Sequence, residues 1–326
     1  MAKSKELLKV NDLSIQYITE DGTVKAVDNM SFEIGVGETL GIVGETGAGK
    51  TTTALGIMQL VPNPPGKIVN GEIFFEGENL LEKTEEQMRK IRGKKISMIF
   101  QDPMTSLNPV MTTGEQIAEV IKLHEDVNDK EADKKAKKML ETVGIPAERS
   151  GDYPHQFSGG MRQRIVIAIA LACNPQLLIA DEPTTALDVT IQAQVMKLMK
   201  NLKDEFETSM ILITHDLGVV ADICDKVAII YTGYVVEYTT KENLYTEPLH
   251  PYTQGLFGSI PSIDDDEERL NPIKGLMPEP TEMPDGCPFH PRCPKAMPIC
   301  SKELPKRQEV KEGHFVNCHL YSKKDK

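Results

Sequence analysis

The sequence predicts an α/β fold built on buried parallel strands, with an antiparallel β subdomain and a helical subdomain attached. Residues 7–42 alternate short apolar runs with Gly, Asn and Asp, a pattern typical of strands joined by tight turns. The runs QLLIA at 176–180 and SMILIT at 209–214 are almost wholly apolar, as expected of strands covered on both faces. Charged stretches within residues 102–151, including 128–142, predict the helices.

The domain organisation follows from length and composition. The chain has 326 residues, of which 40% are hydrophobic and 26% charged, values ordinary for a globular protein. Beyond about residue 237 proline becomes frequent and apolar periodicity fades. We therefore expect a larger domain at 1–240, whose helical subdomain covers about 102–170, and a small cysteine-containing domain at 241–326.

Charge and hydropathy exclude some partners and locations. The formal net charge of -12 argues against nucleic acid, because affinity for a phosphate backbone comes largely from clustered Lys and Arg. The first residues, MAKSKELLKV, lack the apolar core of a signal peptide, and no run of 18 apolar residues occurs. We expect a cytoplasmic chain that reaches a membrane only through another subunit.

The segment GETGAGKT at 44–51 fits the phosphate-loop pattern G-x-x-x-x-G-K-[ST] between a predicted strand and a predicted helix. Its glycines let backbone N–H groups turn toward the β- and γ-phosphates, Lys50 adds positive charge, and the Thr51 hydroxyl suits Mg²⁺. A flexible surface loop is the alternative. The candidate ATP contacts are Gly44, Glu45, Thr46, Gly47, Ala48, Gly49, Lys50, Thr51 and Thr52.

Two carboxylates follow the apolar run that ends at Ala180. Such a pair is often only a solvated strand end, but ligands of open α/β sheets bind where the strands end. Downstream of a phosphate loop, Asp181 is expected to hold Mg²⁺ and Glu182 to polarise the attacking water. An oriented base predicts hydrolysis rather than transfer to a second substrate.

Two further candidates gain meaning only from this setting. His215 directly follows the second apolar strand, from which it could reach the γ-phosphate beside Glu182, although most histidines have no such role. Gln101 follows the apolar ISMIF, and its amide could bond both Mg²⁺ and the nucleophilic water.

A second phosphate-binding element begins at Ser158, Gly159, Gly160 and Met161, which precede a segment of helical period. A serine and glycines at a helix N-terminus expose N–H groups where the helix dipole favours an anion. Two such elements in one chain suggest two chains that face each other.

These motifs resemble those of the ATP-binding subunits of ABC transporters. FSGGM is similar to the LSGGQ signature, with Met161 in place of Gln; Gln101 matches the Q-loop, the Ala186-Leu187-Asp188 segment the D-loop, and His215 the switch histidine. The match covers residues 7 to about 240. Longer segments resemble the oligopeptide and dipeptide importer branch, which includes nickel importers: YPHQFSGGMRQR at 153–164, TTALDVTIQAQV at 184–195, HPYTQGL at 250–256 and GCPFHPRCPKAMPIC at 286–300.

The resemblance implies a P-loop ATPase of ABC type that powers import of dipeptides or oligopeptides, or of nickel. It implies ATP held between the phosphate loop of one subunit and the signature of a second ATPase subunit, related or identical. It further implies two transmembrane permease subunits, an extracytoplasmic substrate-binding protein, and a position on the cytoplasmic face of the membrane. An aromatic residue near the N-terminus stacks on adenine in the family, and Tyr17 is the candidate, unless it is only a strand residue.

Other classes remain open. A soluble ABC ATPase of translation or repair usually carries two cassettes or a long coiled-coil insertion, which this chain lacks. A regulatory module that binds ATP without turnover would not need Glu182 and His215.

Four cysteines, Cys287, Cys293, Cys300 and Cys318, are separated by five, six and seventeen residues in a Pro-rich segment. Four thiolates can hold a four-iron four-sulfur cluster or Zn²⁺, and unligated or disulfide-bonded thiols are the third possibility. Zinc commonly uses C-x₂-C pairs, which are absent here. Some members of the resembling family carry a 4Fe-4S cluster at this place. Mixed ligation by His290, His314 or His319 stays open, whereas Cys173 and Cys224 are expected to be buried and inert.

Overall fold

A computed structural model describes residues 5–185, 187–259 and 273–322. Within those residues the strands are β1 (Glu6–Thr19), β2 (Gly22–Gly35), β3 (Thr39–Val43), β4 (Gly66–Phe75), β5 (Glu78–Asn79), β6 (Ile96–Ile99), β7 (Leu177–Asp181), β8 (Ser209–Thr214), β9 (Lys226–Tyr231), β10 (Tyr234–Thr240), β11 (Arg307–Lys311) and β12 (His314–Asn317). The helices are α1 (Lys50–Ile57), α2 (Glu85–Ile91), α3 (Pro103–Ser106), α4 (Thr113–His124), α5 (Asp129–Thr142), α6 (Gly159–Leu171), α7 (Val189–Glu205), α8 (Leu217–Ile223), α9 (Lys241–Thr246) and α10 (Pro251–Gly258).

The chain folds as two compact units. One, called the helical unit, comprises Met1–Leu8, Ile34–Thr39 and Phe75–Thr214. The other, called the loop unit because it contains the phosphate loop, comprises Lys9–Glu33, Leu40–Phe74 and His215–Lys326. The chain crosses between them several times, so neither unit is a single continuous segment.

Three parallel strands form the centre of the helical unit. β6 pairs with β7, and β7 pairs with β8, each in parallel register. Their residues are buried throughout, which confirms the prediction drawn from the uninterrupted apolar runs. α6 has apolar residues on nearly every side, as expected of a helix surrounded by protein.

Two capped helices account for the charged stretches of this unit. α5 begins after Asn128, whose side chain accepts a hydrogen bond from the Glu131 N–H. Thr112 caps α4 in the same way by accepting the Glu115 N–H, and the Thr112 N–H in turn donates to the Glu115 carboxylate. Ala132, Ala136 and Leu140 form the buried stripe of α5. The helix expected within 128–142 is therefore confirmed, with Asn128 as its cap.

The loop unit contains a sheet whose strands come from distant parts of the chain. β3 pairs in parallel with β9, and the order then continues through antiparallel β10, β12 and β11. Apolar periodicity fades beyond about residue 237, yet the C-terminal strand β12 pairs with β10 at Glu237↔Val316 and Tyr238↔Phe315. The proline-rich composition hid this hairpin because each strand is only four or five residues long.

A second sheet of the loop unit has the strand order β2, β1, β4. β1 and β2 are joined by only two residues, a connection possible for antiparallel neighbours. Each has 14 residues, longer than the short apolar runs from which strands were predicted in this segment. Two of the polar residues between those runs, Asp12 (φ 47°) and Asn29 (φ 49°), lie inside the strands with positive φ. Hydroxyls of the neighbouring strand accept their N–H groups, Ser31 at 2.8 Å and Ser14 at 3.0 Å.

None of the helices in the described part of the chain combines the length and apolar character needed to span a bilayer.

Candidate nucleotide-hydrolysis site

The phosphate loop lies between the end of β3 at Val43 and the start of α1 at Lys50. Gly47 and Gly49 have φ of 82° and 93°, in the left-handed region that side chains avoid. Space is also limiting at two of the glycines. A Cβ added to Gly44 would stand 2.2 Å from the Ile230 carbonyl oxygen, and one added to Gly49 would stand 2.1 Å from the Ala26 carbonyl oxygen. These positions therefore require glycine, which agrees with the predicted motif.

Lys50 folds back over the loop. Its Nζ donates hydrogen bonds to the carbonyl oxygens of Gly44 at 2.8 Å and Glu45 at 3.0 Å, and the residue is buried. Thr51 is exposed on the first turn of α1, where the N–H groups and the helix dipole attract an anion. A lysine, a hydroxyl and a helix N-terminus thus meet within one loop, as phosphate binding requires.

Two other predicted residues belong to the loop unit. Tyr17 is half-buried on β1. Its ring lies close to the backbone of Gly66, since a Cβ added to that glycine would stand 2.8 Å from Tyr17 Cε1. His215 is exposed, and the next residue, Asp216, caps α8 by accepting the N–H groups of Gly218 and Val219. Their roles in adenine stacking and γ-phosphate contact stay predictions.

The predicted acids lie in the helical unit. Asp181 is the last residue of β7 and only 1% exposed. Glu182 has φ of 44°, uncommon for a residue with a side chain, and its N–H donates to the Ile213 carbonyl oxygen at 2.9 Å. Strained backbone of this kind persists where surrounding structure holds it, often at functional sites.

Gln101 holds the Glu182 carboxylate. Its Nε2 donates to Glu182 Oε2 at 3.0 Å, and the Thr185 hydroxyl donates to the same oxygen at 3.1 Å. The structure thus brings together two residues that lie 81 positions apart. We had not predicted Thr185; its only sequence signal is its position three residues after the acid.

The signature segment begins α6. The Ser158 side chain caps the helix by accepting the Met161 N–H, and Ser158 is exposed while Gly159 and Gly160 are half-buried. An added Cβ on Gly160 would stand 2.6 Å from Ile191 Cγ2, so glycine here allows α6 to approach α7. Asp188 caps α7 by accepting the Ile191 N–H at 3.0 Å. Ala186, the first residue of the predicted D-loop, lies outside the described residues.

The four cysteines of the C-terminal segment are close to one another in the loop unit. Burial, and to a smaller extent the nearby Cys300, Cys318 and Cys293, raise the pKa of Cys287 to about 11. Burial likewise raises the pKa of Cys318 to about 11. The Cys287 N–H donates to the Cys300 carbonyl oxygen at 2.8 Å, and Cys300 Sγ accepts the Met297 N–H at 3.4 Å.

These groups nevertheless do not form a single-ion site. Across residues 5–185, 187–259 and 273–322, no three His, Cys, Asp or Glu side chains are arranged to hold one metal ion. His314 Nε2 lies 2.7 Å from Glu237 Oε1, and His319 Nε2 lies 2.8 Å from the Glu303 carbonyl oxygen. Those two ring nitrogens are therefore engaged elsewhere.

The remaining two cysteines differ from each other. Cys224 is buried as predicted, and burial raises its pKa to about 12. Cys173 is only half-buried, although burial raises its pKa to about 11, so both thiols stay protonated at neutral pH.

Family models match two parts of the chain. Residues 27–185 match the model described as ABC transporter, and residues 236–300 match the C-terminal region of oligopeptide/dipeptide transporters.

Similar proteins extend over nearly the whole length. The Oligopeptide transport ATP-binding protein AppD of Bacillus subtilis is 53% identical, covering 97% of this chain and 97% of that protein. The Dipeptide transport ATP-binding protein DppD of the same organism is 49% identical over 97% and 95%. The Oligopeptide transport ATP-binding protein OppD of Escherichia coli is 49% identical over 96% and 92%.

Solved structures have the same fold. The ATP-binding cassette MJ0796, a dimer in a post-hydrolysis state with ADP and Pi, matches with TM-score 0.65 and 27% identity, over 72% of this chain and 99% of that one. CbiO1 from Clostridium perfringens, part of the ABC transporter complex cbiONQ, matches with TM-score 0.65 and 27% identity, over 75% and 92%.

Proposed function

Because this chain belongs to the ATP-binding subunits of oligopeptide and dipeptide ABC transporters, we propose that it hydrolyses ATP to power import of such peptides. The observation that carries the substrate class is the 53% identity to an oligopeptide transport protein over 97% of the chain. Relatives named for dipeptides match almost as well, so the proposal covers both lengths of peptide. Nickel import by the same branch is the rival.

The reaction is transfer of the γ-phosphoryl group to water. In this proposal Glu182, held by Gln101 and Thr185, polarises the water whose oxygen attacks the γ-phosphorus, and ADP leaves as the bond to the β-γ bridging oxygen breaks. Lys50, the loop N–H groups and His215 are assigned to the phosphates. Thr51, Asp181 and Gln101 suit Mg²⁺, which when bound neutralises charge on the phosphate oxygens.

A second ATPase subunit completes the site. Ser158 caps the 13-residue helix α6 and is exposed, which supports its use as an anion site facing a neighbouring chain. The dimeric state of the similar cassette MJ0796 supports the same arrangement. The half of each ATP site that comes from the opposite subunit consists of Ser158 together with Gly159, Gly160, Met161 and Asp188. In the half that contains the phosphate loop, Tyr17 stacks on adenine. The partner is a second copy or a related subunit.

The other partners follow from the family. We assign the chain to the cytoplasmic face of the membrane, held there by two permease subunits that receive substrate from an extracytoplasmic binding protein. We also propose that residues 1–240 form the ATPase domain, with a helical subdomain at about 102–170. Residues 241–326 then form the C-terminal cysteine domain.

Reconstitution tests this proposal. The chain would be co-purified with its permease subunits, placed in proteoliposomes with the binding protein, and assayed for uptake of labelled dipeptide, oligopeptide and Ni²⁺. Peptide uptake that depends on ATP and is lost in Glu182→Gln supports it. Uptake of Ni²⁺ alone selects the nickel importer, and failure to associate with any permease selects a soluble ABC ATPase.

For the cysteine segment we propose a 4Fe-4S cluster bound by Cys287, Cys293, Cys300 and Cys318. Each cysteine of such a cluster binds a different iron, so the four sulfurs stand farther apart than the ligands of one ion. That spacing is compatible with four neighbouring thiols that form no single-ion site. Zinc, which needs tetrahedral convergence, is the less favoured alternative.

Anaerobic purification decides between these states. A cluster predicts a broad visible absorption and about four irons per chain, both lost when Cys287 and Cys300 are changed to Ser. Bound zinc without visible absorption would identify a tetrahedral zinc site. A chain that contains neither iron nor zinc would identify free thiols.

A further inference from the structure

The side chain of Glu45, inside the phosphate loop, is bound by a residue 247 positions away. Nη1 of Arg292 lies 3.1 Å from both Glu45 carboxylate oxygens. The Arg292 side chain is 6% exposed and that of Glu45 is 30% exposed, so water screens this ion pair less than a surface pair. Arg292 ends the short turn His290–Arg292, which lies between Cys287 and Cys293.

The backbone of Glu45 is bound from the same region. Its N–H donates to the Tyr252 hydroxyl at 3.0 Å, and Tyr252 is fully buried on α10. Met277 lies near Gly47, two residues further along the loop, since an added Cβ on Gly47 would stand 3.2 Å from Met277 Cε. Residues beyond 250 therefore bind the side chain and the backbone N–H of Glu45 and lie beside Gly47.

The groups that hold Glu45 are themselves fixed by aromatic packing. The ring of Tyr231 lies 4.7 Å from that of Tyr252 and 5.2 Å from that of Phe289, centroid to centroid. Arg292 Nη1 donates to the Tyr231 hydroxyl at 3.3 Å, and its Nε donates to the Lys274 carbonyl oxygen at 3.3 Å. Arg292 therefore approaches Glu45 from a rigid support.

Two physical effects follow for an anion in this loop. Holding residue 45 in place removes part of the conformational entropy that the loop would otherwise lose when it wraps a phosphate. Arg292 also neutralises Glu45, whose carboxylate would otherwise stand unpaired in a loop that must attract a polyanion.

From these contacts we infer that Arg292 and Tyr252 are positioning residues of the nucleotide site, through which the C-terminal segment sets ATP affinity. The inference rests on the assignment of residues 44–51 as the ATP loop. It gives the segment a role in the reaction that does not depend on whether its cysteines bind a metal.

The test measures MgATP affinity of the full-length chain by calorimetry. Arg292→Gln is expected to weaken binding roughly tenfold, equivalent to about 1.4 kcal/mol. Tyr252→Phe keeps the ring and removes the hydroxyl, and is expected to weaken binding about threefold. Lys311→Gln, which breaks an exposed pair with Glu247 in the same region, is the matched control and leaves affinity unchanged.

A second substitution separates positioning from loss of fold. Adding Glu45→Gln to Arg292→Gln removes the unpaired charge, so the double variant should bind MgATP more tightly than Arg292→Gln alone. In the assembled transporter, Arg292→Gln should raise KM for ATP about tenfold and leave kcat within twofold, because Glu182 is untouched.

Each outcome bears on the inference. Arg292→Gln binding within twofold of wild type, or a double variant weaker than Arg292→Gln, overturns it. If Arg292→Gln does not fold, Tyr252→Phe decides, and wild-type affinity in that variant overturns the inference. A wild-type chain that binds no MgATP instead overturns the assignment of the ATP loop.

Discussion

The Nε2 atom of Gln101 donates a hydrogen bond of 3.0 Å to Oε2 of Glu182, which joins a residue two positions beyond the end of β6 to the acid that directly follows β7. The two strands are parallel neighbours, so their carboxyl ends emerge side by side. This bond fixes the orientation of the carboxylate that we assign to the attacking water.

Glu182→Gln keeps the size of the side chain and its position near Gln101, but removes the negative charge that polarises water. Turnover should fall by about 10²- to 10⁴-fold, the usual contribution of a positioned base, while ATP affinity stays within a few-fold. Phosphate release by the assembled complex and calorimetry on the chain measure the two effects. Near-normal hydrolysis would remove Glu182 from the mechanism.

Gln101→Glu tests the contact itself. It places a second carboxylate at the position from which the amide now donates, and two carboxylates that share a site raise the pKa of one of them. The acid limb of the pH–rate profile should therefore move to higher pH. Gln101→Ala is the matched control, since it removes the donor without adding charge; identical profiles for the two variants would contradict the prediction.

Gly160→Ala adds a methyl group where Ile191 Cγ2 stands only 2.6 Å away. Overpacking of this kind costs about 1–3 kcal/mol, so the melting temperature should fall by several degrees. Combining it with Ile191→Ala removes the clashing atom, and the double variant should be more stable than the sum of the two single effects predicts. Gly159→Ala is the control, because its nearest neighbour, Leu187 Cδ2, is 3.6 Å away. Strictly additive losses would show that packing against α7 is not the cause.

The sequence predicted those parts of the fold and site that depend on local pattern. Uninterrupted apolar runs located β7 and β8, and the charged stretch at 128–142 located α5, because burial on both faces and a solvated helix face leave local signals. The phosphate loop was recognisable because steric limits at Gly44 and Gly49 admit only glycine.

Contacts between distant segments left no such signal. Nothing near Arg292 indicates a carboxylate 247 residues earlier, and its neighbours drew attention only to cysteines. The short apolar runs did not indicate the full 14 residues of β1 and β2, because Asp12 and Asn29 are typical turn residues. Their N–H groups instead donate to the hydroxyls of Ser31 and Ser14 on the paired strand. The positive φ of Glu182 is likewise imposed by its tertiary contacts.

A pH dependence of stability is expected from His250, which is 1% exposed and caps α10. Its Nδ1 accepts the Tyr252 N–H at 3.0 Å, so the ring is neutral in the folded state. Burial lowers its pKa to about 4, although Glu237 opposes the shift. Below about pH 6.5 the unfolded chain binds a proton that the folded chain does not, so stability falls as pH falls from about 6.5 to about 4.

Urea unfolding between pH 7 and pH 5 measures this effect. His250 should contribute a loss of about 1.4 kcal/mol per pH unit at its steepest. Burial raises the pKa of Glu237, but hydrogen bonds from His314, Leu249 and His250 outweigh this effect and leave the pKa below the usual 4.5. The stability that ionised Glu237 contributes is therefore lost only at pH values below this window. His250→Asn keeps an acceptor for the cap and should flatten the slope, whereas His155→Asn, at an exposed position, should not. Equal slopes in both variants would show that His250 is not the titrating group.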